Sequence, residues 1–222
     1  MTGPLRIPLG QSVLAKNDAA AARTRGRLAE LGLPCVNLMG SPGCGKTALL
    51  EATLDALAGE LRVGVVTGDL ATARDADRLR DRAAVVTQIN TGGGCHLDAA
   101  QVAEGLAGFP LEDLDLVVVE NVGNLICPAT FDLGEARKVV VFSTPEGQDK
   151  PAKHPSALLA ADLVLLNKVD LLPYLPFDVA AFRADVALVR DDLDVLEVAA
   201  TRKDDDPQLG PWLTWLRGLV AR

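Results

Sequence analysis

The stretch from Gly40 to Thr47 carries glycines, a lysine and a threonine at the spacing of a phosphate-binding loop, GxxxxGK[ST]. It follows a short apolar run and leads into a helical pattern, which is the context that this motif requires. Glycines let backbone N–H groups face phosphate oxygens, Lys46 can reach the β- and γ-phosphates, and the Thr47 hydroxyl can bind Mg²⁺. The alternative is a Gly-rich turn with one exposed lysine. The residues predicted to contact the phosphates are Gly40, Ser41, Pro42, Gly43, Cys44, Gly45, Lys46 and Thr47.

A second motif, NKxD, spans residues 167–170 and comes directly after an apolar run. The Asp170 carboxylate could accept both N–H groups on one edge of guanine, whereas adenine would leave it unpaired, and that penalty discriminates between the bases. The alternative is an Asn or Asp that merely caps a turn. Because the phosphate motif lies upstream, we predict a guanine nucleotide, with its base held by Asn167, Lys168 and Asp170.

Two acidic residues, Asp69 and Glu120, also end apolar runs. Each could bind Mg²⁺ beside Thr47, directly or through water, or could instead be a loop residue that caps a helix. With Lys46 and Thr47 they form the predicted catalytic set. No residue is identifiable as a catalytic base, and Arg74 is only a candidate for an arginine finger. We therefore predict slow hydrolysis.

Cys95, His96 and Cys127 carry the thiol and imidazole groups that suit Zn²⁺ or Ni²⁺. Cys95 is predicted at the start of a helix, where a thiol ionises more easily. Three ligands do not close a tetrahedral site, but two molecules meeting about a twofold axis could supply two sets. Buried thiols with a helix-capping histidine are the alternative. Cys35 is predicted to lie in the core, Cys44 to be a small filler in the phosphate loop, and His154 to lie at the surface.

The composition indicates one folded domain without a nucleic-acid surface. The chain has 222 residues, 49% of them hydrophobic and 23% charged, and a formal net charge of −8. That charge argues against nonspecific binding to nucleic acid. Because the sequence has neither a signal peptide nor an apolar run long enough for a membrane span, we expect no membrane partner and a cytoplasmic location with reduced thiols.

Apolar runs rich in Val and Leu alternate with helical patterns along the chain. This alternation predicts an α/β domain of the P-loop NTPase type, with a mostly parallel sheet flanked by helices. We assign residues 1–33 to an N-terminal tail and helix packed on the domain, and residues 34–222 to the P-loop GTPase domain. The predicted strands are 35–39, 63–67, 84–89, 116–120, 139–142, 163–166 and 195–198. The predicted helices are 11–31, 46–58, 75–82, 97–106, 178–188, which Asp178 would cap, and 209–220.

Several longer strings resemble one family, the hydrogenase nickel-incorporation GTPases known as HypB. The strings occur in the same order as in that family, at residues 37–47, 68–72, 88–98, 120–128, 146–151 and 167–174. Urease-maturation GTPases are close relatives, but they are expected to carry Cys-Pro-His at the metal site, whereas Cys95 and His96 are adjacent here. The resemblance covers nearly the whole chain from about Val13.

The resemblance implies a GTPase that couples GTP binding and dimerisation to nickel delivery during [NiFe]-hydrogenase maturation. GTP or GDP and Mg²⁺ would be its cofactors, and the protein would be a homodimer when GTP is bound. Its partners would be a nickel metallochaperone and the hydrogenase large-subunit precursor. It further implies that Cys95, His96 and Cys127 bind Ni²⁺ or Zn²⁺ at the dimer interface.

Three features depart from the family pattern. Residues 199–201 are Ala-Ala-Thr where Ser-Ala-Lys is usual, which leaves the backbone N–H of Ala200 to contact the base. Gly93 stands where a lysine is frequent, and no Cys or His precedes Cys35, although some members bind nickel through such residues. Two other functions compete. A small-molecule P-loop kinase would not need NKxD and would usually carry an arginine-bearing lid, and a metal carrier could have a vestigial nucleotide site.

Overall fold

Seven parallel strands form one sheet in this computed structural model, which describes residues 9–69, 74–200 and 208–221, and the side chains within 14–68, 76–200 and 208–221. The strands are β1 (Cys35–Gly40), β2 (Val63–Asp69), β3 (Val85–Asn90), β4 (Leu116–Glu120), β5 (Arg137–Ser143), β6 (Leu163–Asn167) and β7 (Val195–Glu197). Their order across the sheet is β3-β2-β4-β1-β5-β6-β7, and every neighbouring pair is parallel. The predicted P-loop α/β fold with flanking helices is confirmed.

The helices include six that match predicted ones and three short ones that were not predicted. The matching helices are α1 (Leu9–Glu30), α2 (Lys46–Leu57), α3 (Arg74–Leu79), α4 (Ala99–Leu106), α8 (Val179–Val189) and α9 (Gly210–Val220). The short helices, each with a proline in its first turn, are α5 (Cys127–Thr130), α6 (Lys150–Lys153) and α7 (Pro155–Ala160). None of the helices described is both long and apolar enough to cross a membrane.

The continuous apolar runs form central strands because helices cover both faces of the sheet. Every residue of β1, β4 and β6 is buried, whereas β3 and β7 at the two edges are only half-buried. Side chains alternate along β1. Val36 and Leu38 pack with α2 and α9, while Cys35 packs with α1 and α4, and Met39 packs with α7 and α8.

The N-terminal helix α1 packs closely on the domain. Small side chains permit this approach, since Ala20 and Ala21 form a buried cluster with Ala99 of α4. Gly134 has a φ of +88°, and a Cβ atom there would lie 2.7 Å from the carbonyl oxygen of Ala21. Packing of α1 against α4 does not test whether the chain divides at residue 33, so that division stays a prediction.

Helix α4 begins at Ala99, two residues later than predicted, because Asp98 caps it. The Asp98 carboxylate accepts the Gln101 N–H at 2.8 Å, and the Gln101 side-chain oxygen accepts the Asp98 N–H at 3.0 Å. The predicted cap of α8 is confirmed, since the Asp178 carboxylate accepts the N–H groups of residues 180 and 181. Helix α3 ends at Leu79, earlier than predicted, in a turn closed on the Leu79 carbonyl.

Candidate nucleotide and metal site

The predicted site residues gather at one edge of the sheet. All strands run in the same direction, so their carboxyl ends, and the loops that follow them, meet at that edge. The phosphate loop follows β1, Glu120 ends β4, and the NKxD motif begins on the last residue of β6. Asp69 ends β2 at the same edge, although its side chain lies outside the described residues, as does that of Arg74.

The phosphate loop is held closed by its own lysine. The Lys46 ammonium donates to the carbonyl oxygens of Gly40 at 3.0 Å and Ser41 at 3.3 Å, and the side chain is 7% exposed. Gly43 and Gly45 have φ values of +76° and +97°, in the left-handed region that favours glycine. No side chain caps α2 at Gly45. The loop therefore presents glycine backbone and an uncapped helix N-terminus, the arrangement that suits phosphate oxygens.

Thr47 and Glu120 meet beside this loop. The Thr47 hydroxyl donates to the Glu120 Oε1 atom at 2.6 Å, and Glu120 is 5% exposed. A hydroxyl and a carboxylate oxygen at this separation are hard oxygen ligands of the kind that Mg²⁺ takes. The register of the sheet also pairs Glu120 with Thr67, two residues before Asp69.

The NKxD motif is docked on the phosphate loop by its first two side chains. Asn167 donates from Nδ2 to the carbonyl oxygen of Cys44 at 2.9 Å, and Lys168 donates from Nζ to that of Gly43 at 2.7 Å. A Cβ atom on Gly45 would lie 2.6 Å from Asn167 Nδ2, so the contact requires glycine. Asp170 lies two residues further on, exposed, in a 3-10 turn.

Lys168 has an unusual backbone conformation at the point where the NKxD motif turns from β6 into the 3-10 turn that contains Asp170. Its φ is +62°, and it is the single residue other than glycine with a positive φ in the described part of the chain. The Thr144 hydroxyl donates to the Lys168 carbonyl oxygen at 2.7 Å and stabilises this turn. Ala200, predicted to donate its backbone N–H to the base, is partly buried after β7, and Thr201 lies outside the described residues.

A cavity of about 360 Å³ lies between the phosphate loop and the loop after β4. Its wall also contains an arginine that the sequence analysis missed. Arg78 of α3 lines the cavity and donates from Nε to Glu51 at 3.2 Å and from Nη2 to the second oxygen of that carboxylate. Glu51 is 2% exposed and lies one helical turn after Thr47 on α2. The Arg78 guanidinium at the cavity wall is therefore held by a buried carboxylate.

The three predicted metal ligands form a compact cluster. One ligand atom from each of Cys95, His96 and Cys127 lies within 4.8 Å of the others, and Cys95 Sγ is 3.5 Å from His96 Nδ1. Burial lowers the pKa of His96, which favours the neutral imidazole that binds metals. The Cys95 thiol, within hydrogen-bonding reach, raises the pKa of Cys127. The Phe131 ring packs 3.9 Å, centroid to centroid, from the imidazole.

The prediction that Cys95 starts a helix was wrong. Helix α4 begins four residues later, at Ala99, and the Asp98 carboxylate occupies its cap. The helix dipole acts only within the first turn, so Cys95 lies outside its reach. The thiol is exposed to solvent.

The other two thiols and the second histidine take different positions. Cys35 and Cys44 are 2% and 0% exposed, and burial raises the pKa of both thiols, as suits a core residue and a loop filler. His154, predicted at the surface, is partly exposed at the junction of α6 and α7.

A buried amide connects the nucleotide edge to the metal cluster. Asn121, next to Glu120 and 1% exposed, accepts the N–H groups of Leu97 at 3.1 Å and Val122 at 3.0 Å. It also donates to Asn37 Oδ1 at 3.2 Å, while Asn124 donates to the Cys95 carbonyl oxygen at 3.3 Å. The sequence signal for these residues was weak: Asn37 is one polar residue inside an apolar run. The loop after β4 thus touches both sites.

Comparison with known proteins agrees with this arrangement. Residues 34–197 match the family model described as "CobW/HypB/UreG, nucleotide-binding domain". The hydrogenase maturation factor HypB of Azotobacter vinelandii is 49% identical over 212 residues, which make up 95% of this chain and 68% of that protein.

Solved structures give the same result. The crystal structure of HypB from Helicobacter pylori in complex with nickel matches with a TM-score of 0.87 at 35% identity, over 93% of this chain and 95% of that one. The crystal structure of the hydrogenase maturation factor HypB from Archaeoglobus fulgidus matches with a TM-score of 0.85 at 38% identity, over 93% and 100% of the two chains. This chain therefore belongs to the CobW/HypB/UreG family of P-loop nucleotide-binding proteins and, within it, to the HypB hydrogenase maturation factors.

Proposed function

We propose that this protein is a GTP-hydrolysing switch that couples GTP binding and dimerisation to nickel delivery during [NiFe]-hydrogenase maturation. The observation that carries the proposal is the loop after β4. Glu120 at its start contacts Thr47 of the phosphate site, and Cys127 at its end belongs to the thiol and imidazole cluster. Because this loop spans only eight residues from Glu120 to Cys127, a shift in the position of Glu120 should also shift Cys127.

In this proposal the nucleotide lies along the carboxyl edge of the sheet. Residues 40–47 bind the phosphates, with Lys46 compensating their charge, and Asn167, Lys168 and Asp170 bind guanine. The two side-chain bonds from the NKxD motif to the phosphate loop hold these halves at a fixed distance. The Ala200 backbone N–H contacts the base from the other side.

Hydrolysis uses Lys46, Thr47, Asp69 and Glu120. The Thr47 hydroxyl and the Glu120 carboxylate fit Mg²⁺, which would neutralise charge that develops on the phosphate oxygens. Glu120 orients water at the same edge. Arg78, which lines the cavity, is engaged by the buried Glu51 carboxylate, and Lys168, the second lysine that contacts the phosphate loop, donates to the Gly43 carbonyl oxygen. Turnover is therefore slow, as suits a switch.

Nickel, or Zn²⁺ in its place, is bound by Cys95, His96 and Cys127. Soft thiolates with one neutral imidazole favour these ions over Mg²⁺. The cluster is at the surface: Cys95 is exposed, and Ile126 beside Cys127 is 60% exposed. Two protomers in a GTP-bound dimer would bring two ligand sets together. The H. pylori HypB solved with nickel supports this metal. A metallochaperone and the hydrogenase large-subunit precursor are the proposed partners.

The nucleotide part of the proposal is tested by calorimetric titration with GTP, ATP and XTP. The wild type should bind GTP and not ATP, because Asp170 accepts two N–H groups that adenine lacks. Asp170→Asn should shift the preference toward XTP, since an amide can donate to the xanthine carbonyl. The neighbouring exposed Asp178→Asn is a matched control and should leave selectivity unchanged. Equal affinity for ATP and GTP would favour a P-loop kinase instead.

The metal part is tested by elemental analysis after equilibration with nickel. Wild type should retain nickel, and Cys95→Ser and Cys127→Ser should each lose it. Cys35→Ala, which removes a thiol from the core, is the control and should retain it. Retention by all of the variants would remove the cluster as the nickel site. Phosphate release from GTP, measured in parallel, separates a switch from a carrier with a vestigial nucleotide site.

A further inference from the structure

One side chain of the N-terminal helix bonds to both segments that carry the metal cluster. Asn17 of α1 is 7% exposed. Its Oδ1 atom accepts the N–H of Ala99 at 2.9 Å, three residues after His96. Its Nδ2 atom donates to the carbonyl oxygen of Asp132 at 2.8 Å, next to Phe131. These partners are 82 and 115 residues away along the chain.

Each of these two bonds satisfies a backbone group, the Ala99 N–H or the Asp132 carbonyl oxygen. Ala99 is the first residue of α4, and its N–H is one of the groups that a helix leaves without an internal partner. The Asp98 cap serves Gln101 and not Ala99. One amide orientation alone satisfies both neighbours, because Ala99 needs an acceptor and the Asp132 carbonyl needs a donor.

The two bonded segments are those that hold the metal ligands. Cys95 and His96 lie just before Ala99, and Cys127 begins the short helix that ends just before Phe131. The Phe131 ring packs against the His96 imidazole, so the second segment also sets the orientation of that ring. α1 is further fixed to this segment by the ion pair between Arg25 and Asp132.

We infer that Asn17 is a positioning residue for the proposed metal site, which this inference takes as its basis. From α1 it fixes the separation of segment 95–99 from segment 127–132, and so holds Cys95, His96 and Cys127 within one coordination sphere. In the described structure Asn17 bonds to none of the three ligand side chains and to no residue of the phosphate loop or the NKxD motif. It acts through the backbone of Ala99 and the contact of Phe131 with His96.

Loss of this amide should loosen the cluster and weaken metal binding. Outer-shell partners of metal ligands typically contribute about 10–100-fold to affinity. Because Asn17 acts through backbone rather than on a ligand atom, Asn17→Ala should weaken nickel binding by about tenfold, at the low end of that range. Binding of GTP should be unchanged, since Asn17 makes no contact with the phosphate loop or the NKxD motif in the described structure.

The test is a nickel titration of the full chain, followed by thiolate-to-nickel charge-transfer absorbance, with GTP affinity measured alongside. Asn17→Ala should bind about tenfold more weakly, with a shifted charge-transfer band, a readout that a general loss of stability would not move. Thr24→Ala is the matched control, since Thr24 is a second buried polar residue of α1, 8% exposed, and among the described residues it makes no side-chain hydrogen bond to either segment. Equal nickel affinity in Asn17→Ala and Thr24→Ala would overturn this inference and leave the proposed metal site unaffected.

Two further arms keep the outcomes distinct. Hydrogen exchange without metal should show faster exchange at the Ala99 amide in Asn17→Ala; unchanged exchange would overturn the inference. If Asn17→Ala does not fold, Asn17→Asp, which keeps the acceptor for Ala99 and loses the donor to Asp132, replaces it with the same expected direction. If the wild type has no charge-transfer band that Cys95→Ser removes, the proposed metal site fails, and the inference fails with it.

Discussion

Replacement of Asn121 by alanine should both destabilise the fold and uncouple the two sites. The amide is buried and makes three hydrogen bonds: it accepts the N–H groups of Leu97 and Val122 and donates to Asn37. Asn121→Ala leaves those three buried groups without a partner, at about 1–3 kcal/mol each. We expect the free energy of unfolding to fall by about 3–5 kcal/mol. This value is near the lower end of the sum over the three groups, because water can enter the space that the side chain leaves. That is a large part of the stability of a single domain.

Asn121→Asp should be milder if the new carboxyl group stays protonated, because it then still accepts from Leu97 and Val122 and its O–H can donate to Asn37. Burial of an unpaired carboxylate is costly and favours that protonated form, so we expect a loss of about 1–3 kcal/mol in the free energy of unfolding. The coupling should follow the same order. The ratio of nickel affinities in the GDP state and in the state with a non-hydrolysable GTP analogue should collapse toward one in Asn121→Ala and persist in Asn121→Asp.

Urea unfolding gives the stability, and nickel titration in the two nucleotide states gives the coupling. Thr53→Ala is the control for stability alone, because Thr53 is buried, 1% exposed, and bonds to Trp212 away from both sites. It should lose stability and keep the wild-type ratio of affinities. The reasoning is refuted if Asn121→Ala keeps wild-type stability, or if it unfolds more easily yet retains the full ratio.

Three other substitutions test single contacts. Lys46→Ala should keep a native circular dichroism spectrum and lose GTP turnover, and turnover at the wild-type rate would mean that the phosphate site lies elsewhere. Gly45→Ala should abolish nucleotide binding measured by calorimetry, because its φ of +97° disfavours a side chain and its Cβ would lie 2.6 Å from Asn167 Nδ2; binding of wild-type strength would contradict the docked NKxD motif. Trp212→Phe removes the 2.8 Å bond from Nε1 to Thr53 and leaves space in the core, so it should cost about 2–3 kcal/mol in urea unfolding without any change in GTP affinity.

The elements and the edge at which the site forms could be predicted from the sequence. Val- and Leu-rich runs that are buried on both faces carry a strong signal, and parallel strands bring their carboxyl ends together whatever the details of the helices. Hence the phosphate loop, Glu120 and the NKxD motif could be assigned to one edge from the sequence alone. Strand ends differ by one or two residues, as at β2, where pairing with β3 continues to Asp69.

The contacts that join the sites could not be predicted, because they depend on tertiary packing. Asn17 looks like a polar residue on an Ala-rich helix, and nothing near it in sequence indicates partners 82 and 115 residues away. The start of α4 was misplaced because Leu97 continues the apolar pattern, while the capping box of Asp98 and Gln101 decides the first turn. The short helices α5 to α7 are below the length at which periodicity carries a signal.

The central claim is that metal and nucleotide binding are linked through the loop from Glu120 to Cys127. The most direct measurement is a nickel titration of the nucleotide-free protein, the GDP-bound protein and the protein bound to a non-hydrolysable GTP analogue, with dimerisation followed by sedimentation. Couplings of this kind are typically about 1–3 kcal/mol, or roughly 5- to 150-fold in affinity. The account predicts that nickel affinity changes with nucleotide state, that nickel changes GTP affinity by the same factor, and that the GTP state favours the dimer. Identical nickel affinity and stoichiometry in all three states would contradict it and leave two independent sites on one domain.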